Sequence, residues 1–461
     1  MDDDILCLRS LQVNSVSSKI RKMKEMNPAK GAEVLSTSFL YFKLIGAWRP
    51  LNLPKWLRVI YDLFTISMVI LMYEMLIVTE ILAIIFAEEN RLKVFQDIVH
   101  ITITHVSGCF KMLFVINRRQ SIMLLVNDCV AKQWYPPRNE LEATIFTEHN
   151  NLSRRITLTY ATLVGVSLLA AVLNPILYST KVLTFATWYP CNISLPICYW
   201  SSYAHQTMGI LAMAVAHVAT DSLIVGFTIK VCTQLNVLNQ RLLSINFQLD
   251  NTSARCQKSQ DQSLALEAIL VNECIVTYND ILRQVYQTKN YRRSLHAFAD
   301  LLSRTFIEIV FIQFCVGLTV ICSTVYLLAK LSIFSFDFFG LFLYLGCMLI
   351  QMFLFCWFGN EVVLDSMKLF HTIYDINWIE LQIQTKSKLL LMMLVASSPI
   401  QLFRGAIIKV NLDAFINVNT VGINIYKNPI FSIKLILYIF KRLIQVLKFS
   451  YSAFNLLQKS S

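Results

Sequence analysis

Apolar positions in this chain fall in long unbroken runs separated by short polar gaps. A run of about 20 residues crosses a bilayer as an α-helix, whereas a barrel strand needs about half that and alternates strictly. The runs here are of the helical kind and predict spans at 56–86, 92–116, 156–178, 203–232, 299–330 and 336–358, with a seventh in the apolar material near the C-terminus. Ser38 to Leu44 predicts a short interfacial helix, and Trp48-Arg49-Pro50 a turn before the membrane. Pro175 predicts a kink or stop late in the third span. The flanks of the polar stretch 233–298 keep a helical period, so spans four and five should continue as helices outside the bilayer, while Asn251 to Ser263 reads as loop. The expected fold is an all-α, polytopic membrane protein of seven transmembrane helices.

Composition agrees and charge adds an orientation. Of 461 residues 56% are hydrophobic and only 15% charged, against about a quarter charged in soluble proteins. The net charge of +12 does not point to nucleic acid, because no aromatic-basic face accompanies it and basic residues collect in the cytoplasmic loops of membrane proteins. Ten Lys and Arg precede or open the first span, six lie between spans two and three, and eight between spans four and five. The alternate connections are poor in both, so the N-terminus is predicted cytoplasmic and the C-terminus extracellular. That is the reverse of a G-protein-coupled receptor. Met1-Asp2-Asp3-Asp4 does not open a cleavable signal peptide. The resulting organisation is a cytoplasmic segment 1–55, four spans in 56–232, a long cytoplasmic connection 233–298, two spans in 299–358, a cytoplasmic segment 359–409 and a last helix within 410–461.

No catalytic signature is present: there is no phosphate-binding glycine loop, HExxH or GxSxG. No enzyme activity, cofactor or metal is expected. His100 and His105 are five apart and do not share a helical face well. The twelve Cys form no CxxC pair. Cys191 and Cys198 share the outer loop between spans three and four and are near enough in sequence to bridge; the same loop holds the glycosylation sequon at Asn192. Asn151 and Asn251 also begin sequons but fall on the cytoplasmic side. Asp62, Glu74, Glu80, Asp221 and Glu308 are charges in or near spans, where such groups mark ion or proton paths or sit at helix ends. Aromatic, Met and small residues in the outer halves of spans, namely Phe95, Tyr178, Tyr203, Met208, Ala212 and Tyr326, are candidates to line a pocket for a small apolar ligand, with helix packing as the alternative. A transporter would show internal repeats, and none is evident.

The last quarter carries a resemblance. Phe355-Cys356-Trp357-Phe358-Gly359-Asn360-Glu361-Val362 resembles the end of the sixth helix in insect odorant receptors, and so does the run with Tyr374, Trp378, Lys386-Ser387, Leu390, Met393 and Pro399. The closing Leu447-Lys448-Phe449-Ser450-Tyr451-Ser452-Ala453-Phe454 is similar to that family's terminal pore helix. Gustatory receptors share the architecture but end in a Thr-Tyr and Gln-Phe arrangement that this chain lacks. The resemblance implies a subunit of a ligand-gated, non-selective cation channel that forms a heterotetramer with an odorant co-receptor. It implies a volatile small molecule as ligand, membrane lipid as surroundings, and the plasma membrane of olfactory sensory neurons as location. Leu447, Ser450, Tyr451 and Phe454 would then belong to the pore helix.

One stretch departs from that family's pattern. Leu412-Asp413-Ala414-Phe415-Ile416-Asn417 should pass directly into the pore helix, but Val418 to Gln445 intervene. Joining Val410–Asn417 to Val446–Leu457 gives a 20-residue run, the length of one crossing. Of the 28 intervening residues, 17 are Ile, Asn, Lys, Tyr or Phe, whose codons are A/T-rich. The insert reads as an in-frame retained intron, and its presence would make this form non-functional. If it is part of the working protein, Ile430–Leu447 reads as a basic amphipathic helix at the membrane surface.

Overall fold

The structure, a computed structural model, describes residues 35–50, 53–72, 77–87, 91–130, 137, 139–177, 183–258, 264–332, 335–376, 378–379 and 383–403. Among these residues there is no strand, and ten helices follow in order: α1 Ser36–Leu44, α2 Lys55–Met72, α3 Thr79–Phe86, α4 Arg91–Asn117, α5 Arg119–Val130, α6 Glu140–Leu177, α7 Pro196–Lys258, α8 Leu264–Leu328, α9 Phe336–Tyr374 and α10 Ile383–Ala396. Five of them, α4 and α6 to α9, are long and apolar enough to cross a membrane. The first predicted span is represented by α2 and α3, with residues 73–76 between them outside the described residues. The seventh, with Leu447, Ser450, Tyr451 and Phe454, also lies outside them, as does the insert 418–445. The chain is a multi-pass, all-helical membrane protein.

α7 is the central helix. Every residue from Ala216 to Ile229 is buried, so it is enclosed on all sides by α1, α4, α6, α8 and α9. A helix buried all round must satisfy its own hydroxyls. Thr220, Ser222, Thr228 and Thr233 each donate to the carbonyl four residues earlier, at 2.6–3.0 Å. α2 shows the opposite face of the same physics. Trp56, Val59, Ile60, Leu63, Ile66 and Ile70 recur every three or four residues and are all exposed. In water this would be an aggregation-prone stripe; facing lipid tails it is the expected outer surface.

The long helices extend past the apolar core. α6 begins sixteen residues before the predicted third span, and its Glu142 holds Arg241 of α7 in a two-bond ion pair, Nε to Oε1 at 2.9 Å and Nη2 to Oε2 at 2.8 Å. α7 runs on to Lys258, eight residues into the stretch 251–263 expected as loop. The correction has a simple cause: Asn251 to Lys258 contains neither Gly nor Pro, the residues that end a helix. Likewise α6 passes through Pro175 and is helical to Leu177, the last described residue before 183. α9 continues through Asn360-Glu361 to Tyr374, so Phe355, Gly359, Asn360 and Glu361 lie mid-helix, with Phe355 and Gly359 buried. Near the ends of α7 and α9, Leu238, Leu242, Leu369, Ile373 and Ile376 pack with Leu389, Met392 and Ala396 of α10 in a second apolar cluster.

Candidate functional site

The main cavity lies at the other end of the bundle. It has a volume of about 500 Å³ and is walled mainly by α4, α6, α7 and α9, with Leu327 at the end of α8 and Thr184, Phe185, Lys330 and Leu331 from the adjoining loops. Each helix contributes residues at helical spacing: His100, Ile101 and Thr104 from α4; Tyr160, Val164, Ser167, Ala171 and Asn174 from α6; Ile210, Met213, Ala214 and His217 from α7; Asp337, Gly340, Leu341, Tyr344, Cys347 and Gln351 from α9. Asn174 and Asp337 mark its mouth, where Asn174 Nδ2 donates to Asp337 Oδ1 at 2.6 Å. Tyr160, His217 and Gln351 mark its floor. At 1.5 Å per residue, the fourteen residues from Asp337 to Gln351 place the floor about 21 Å below the mouth. The cavity is therefore long, narrow and predominantly apolar, within the roughly 300–1,000 Å³ range of small-molecule sites.

The floor is a buried polar network. Lys111 of α4 donates to Asp221 of α7 at 2.6 Å and to His217 Nδ1 at 3.1 Å. His217 Nε2 lies 3.2 Å from the Thr104 carbonyl, which can only accept, so the imidazole proton sits on Nε2. Tyr160 and Gln351 both donate to Asp221 Oδ2. α4 reaches α7 this closely because Gly108 faces it: a Cβ there would fall 2.1 Å from Met213 Sδ and 2.9 Å from His217 Nε2. Thr104 and Tyr344 join α4 to α9 through a 2.5 Å hydroxyl contact. His105 donates from Nδ1 to Glu80 of α3 at 2.8 Å.

The outer loop roofs this end. Gln206 donates to the Phe185 carbonyl at 3.1 Å and to Thr187 Oγ1 at 2.8 Å, and the Trp188 amide donates to the Thr79 carbonyl at 3.0 Å. Trp188 also stacks on Phe86. Burial pushes the Tyr189 phenol up to about 12, and its hydroxyl lies 3.3 Å from His205 Nδ1. Cys191 and Cys198 form a disulfide with their Cα atoms 6.2 Å apart. Asn192 accepts from the Ser194 amide at 3.0 Å.

Of the pocket residues proposed from sequence, Phe95 lies on α4, Tyr203, Met208 and Ala212 on α7 and Tyr326 on α8. Phe95 and Met208 are exposed, Ala212 is packed in the core, and Tyr203 is buried with its hydroxyl on the Val172 carbonyl at 2.6 Å. Tyr326 lies under the Lys330 ammonium, 4.2 Å from the ring centre. None of the five lines the cavity, and Tyr178 is outside the described residues. The charges behave in two ways. Asp62 pairs with Arg49 and Glu308 with Arg118, in partly exposed bridges, whereas Glu80 and Asp221 are buried; Glu74 is outside the described residues. Lys111 was not singled out from sequence, although a Lys in the middle of the apolar run of α4 signals a buried partner as directly as Asp221 does. Among the described residues no group of three or more His, Cys, Asp or Glu could hold a metal ion.

Comparison with known proteins follows the same outline. The chain is 25% identical over 374 residues to Odorant receptor 46a, isoform B, of Drosophila melanogaster, covering 78% of this chain and 88% of that protein. It is 21% identical over 413 residues to Odorant receptor Or1 of Anopheles gambiae, covering 85% and 94%. Its fold is similar to that of the insect olfactory receptor OR5 from Machilis hrabei, solved in complex with eugenol, with a TM-score of 0.69 at 12% identity over 87% of this chain and 97% of that one. The 7tm Odorant receptor family matches residues 92–423, about seven-tenths of the sequence. On that extent of match, and with the four-helix cavity in place, the chain belongs to the odorant receptor family.

Proposed function

We propose that this chain is the odour-binding subunit of a non-selective cation channel, assembled as a heterotetramer with an odorant co-receptor in the plasma membrane of olfactory sensory neurons. The observation that carries this reading is the roughly 500 Å³ cavity between α4, α6, α7 and α9. It is large enough for a volatile molecule, and the eugenol bound by the Machilis hrabei receptor is a ligand of this scale. Its walls belong to helices that continue to the far end of the bundle, so a ligand that favours one packing of them shifts a closed–open equilibrium by its difference in affinity for the two states. The disulfide and the Asn192 sequon in the roofing loop support an extracellular mouth, since disulfides persist in oxidising compartments. The apolar stripe of α2 is the surface that meets membrane lipid.

The test is current recording from cells that express this chain with the co-receptor. Gly340 lines the cavity, and a Cβ built on it meets nothing within 4 Å. Gly340→Leu should therefore fold normally and shrink the cavity. The expected result is a loss of response to the larger active odorants, by about tenfold or more in half-maximal concentration, with smaller ones spared. An unchanged size profile would place the ligand elsewhere.

A second proposal concerns residues 418–445. The family match stops at residue 423, six residues into this 28-residue stretch. This supports reading the stretch as an insertion that interrupts the pore helix formed by 410–417 and 446–457.

A further inference from the structure

His100 stands apart from the other polar groups around the cavity. It is 3% exposed, yet neither Nδ1 nor Nε2 has a hydrogen-bond partner. Its neighbours are all engaged. Thr104 bonds to the His100 carbonyl and to Tyr344; His105 is held by Glu80; His217, Tyr160 and Gln351 are committed to Lys111, Thr104 and Asp221. Two other lining atoms lack partners, Thr184 Oγ1 and Asn174 Oδ1. Asn174 is already tied to Asp337 through its amide nitrogen, and Thr184 belongs to the roofing loop. Among the described residues, His100 is the buried lining side chain on a wall helix whose whole hydrogen-bonding capacity is unspent, Thr184 being in the loop above.

Its position matters as much as its orphan state. The imidazole stands edge-on to the Tyr344 ring, with centroids 5.7 Å apart. Tyr344 lies seven residues from both Asp337 and Gln351 on α9, which puts His100 about 10 Å from either end of the cavity. The walls on both sides are Ile101, Val164, Leu168, Ile210, Met213 and Leu341. A buried imidazole left unpaired is unfavourable, and it is relieved by any group that offers an acceptor or a donor at this depth.

We propose that His100 is the polar anchor of the cavity, and that it selects ligands carrying a neutral oxygen function, a hydroxyl or carbonyl, flanked by apolar segments, over hydrocarbons of the same size. The inference rests on the cavity being the odorant site. A site built to hydrogen-bond a polar group rejects the analogue without it far more strongly than an apolar wall distinguishes sizes. His100 is here a binding residue and not a structural one, because it supports no other group.

The test uses purified full-length protein in lipid nanodiscs and a direct binding readout, ligand-dependent thermal stabilisation, so that channel opening is not needed. The probes are matched pairs: 1-octanol with nonane, and 4-propylphenol with 4-propyltoluene. The wild type should bind the oxygenated member of a pair at least tenfold more tightly. His100→Phe should bring that ratio close to one, and His100→Gln, which keeps a donor and an acceptor, should restore much of it. The unliganded unfolding temperature of His100→Phe should equal or exceed that of the wild type, since an unpaired polar group gives way to an apolar one of similar shape. Equal binding of both members by the wild type, or an undiminished ratio in His100→Phe, overturns the anchor while leaving the cavity as the ligand site. A marked fall in the unliganded unfolding temperature of His100→Phe overturns it as well, by giving His100 a structural role. Binding of neither member of any pair overturns the anchor and the odorant-cavity reading together.

Discussion

At the scale of single residues, the strongest commitment in the bundle is the Lys111–Asp221 pair. Lys111 is 1% exposed and Asp221 2%, and neither charge is tolerable there alone. Asp221 draws on Lys111, Tyr160 and Gln351 at once, so three elements besides α7 converge on one carboxylate. Removing one partner leaves an uncompensated buried charge. Lys111→Met or Asp221→Leu alone should lower stability by about 3–5 kcal/mol, read as a lower unfolding temperature and poor surface delivery. The double variant Lys111→Met with Asp221→Leu should recover most of that loss, because both charges go together. If the double variant is as unstable as the single ones, the pair is not the source of the effect. Asp221 was visible in the sequence as a charge inside an apolar run. Lys111 was harder to see, because a count of basic residues by loop assigns meaning only to those outside the spans.

At the scale of elements, the existence and order of the long helices were legible from hydrophobic runs, because bilayer thickness sets the length of the apolar part; their ends were not, since α6, α7 and α8 run 16 to 35 residues past the apolar runs. Which face of each helix looks inward was not legible either. Choosing aromatic and Met residues by type picked Phe95 and Met208, which face outward. The signal that marks the cavity is a stripe of small and polar residues at helical spacing, such as Ser167, Ala171 and Asn174 on α6 or Gly340, Tyr344, Cys347 and Gln351 on α9. It emerges only when several helices are considered together. The ends of elements carry a separate device. Where the chain leaves α10, the Ile400 amide donates to Ser366 Oγ of α9 at 3.0 Å and the Phe403 amide to Ser303 Oγ of α8 at 2.9 Å. All four residues are buried except for the edge of Ser303. These two hydroxyls fasten the segment that leads toward the last helix. Ser366→Ala and Ser303→Ala each leave a buried amide unsatisfied, at a cost of about 1–3 kcal/mol. Faster amide exchange at Ile400 in the first variant and at Phe403 in the second is the expected result, with exchange in α4 unchanged. Equal protection in variant and wild type would mean that other contacts hold the segment.

At the scale of the whole molecule, the helices that wall the roofed cavity continue toward the α10 cluster. The cavity-lining residues of α9 run from Asp337 to Gln351, about 21 Å of helix; α9 then runs on to Tyr374 and the α10 cluster, beyond which Ile400 and Phe403 are held by Ser366 and Ser303. A pore helix made of 410–417 and 446–457 would begin directly beyond that fastening. With 418–445 in place, the same stretch carries Lys434, Lys441 and Arg442 in its most apolar part. Each costs roughly 2.5–3.5 kcal/mol at the centre of a membrane helix, so insertion as a single crossing is disfavoured by several orders of magnitude. Deleting residues 418–445 removes all three charges and restores a 20-residue apolar run with Asp413 near one end. The deleted form, expressed with the co-receptor, should therefore give odorant-evoked currents, while the full chain should give less than about a tenth of that amplitude at matched surface expression. Equal currents from both forms would make the stretch a tolerated surface helix, and its insertion would not interrupt the pore. A matched transcript from antennal tissue carries the same prediction: the working message should lack the corresponding codons, and finding only the long message would remove the case for a retained intron.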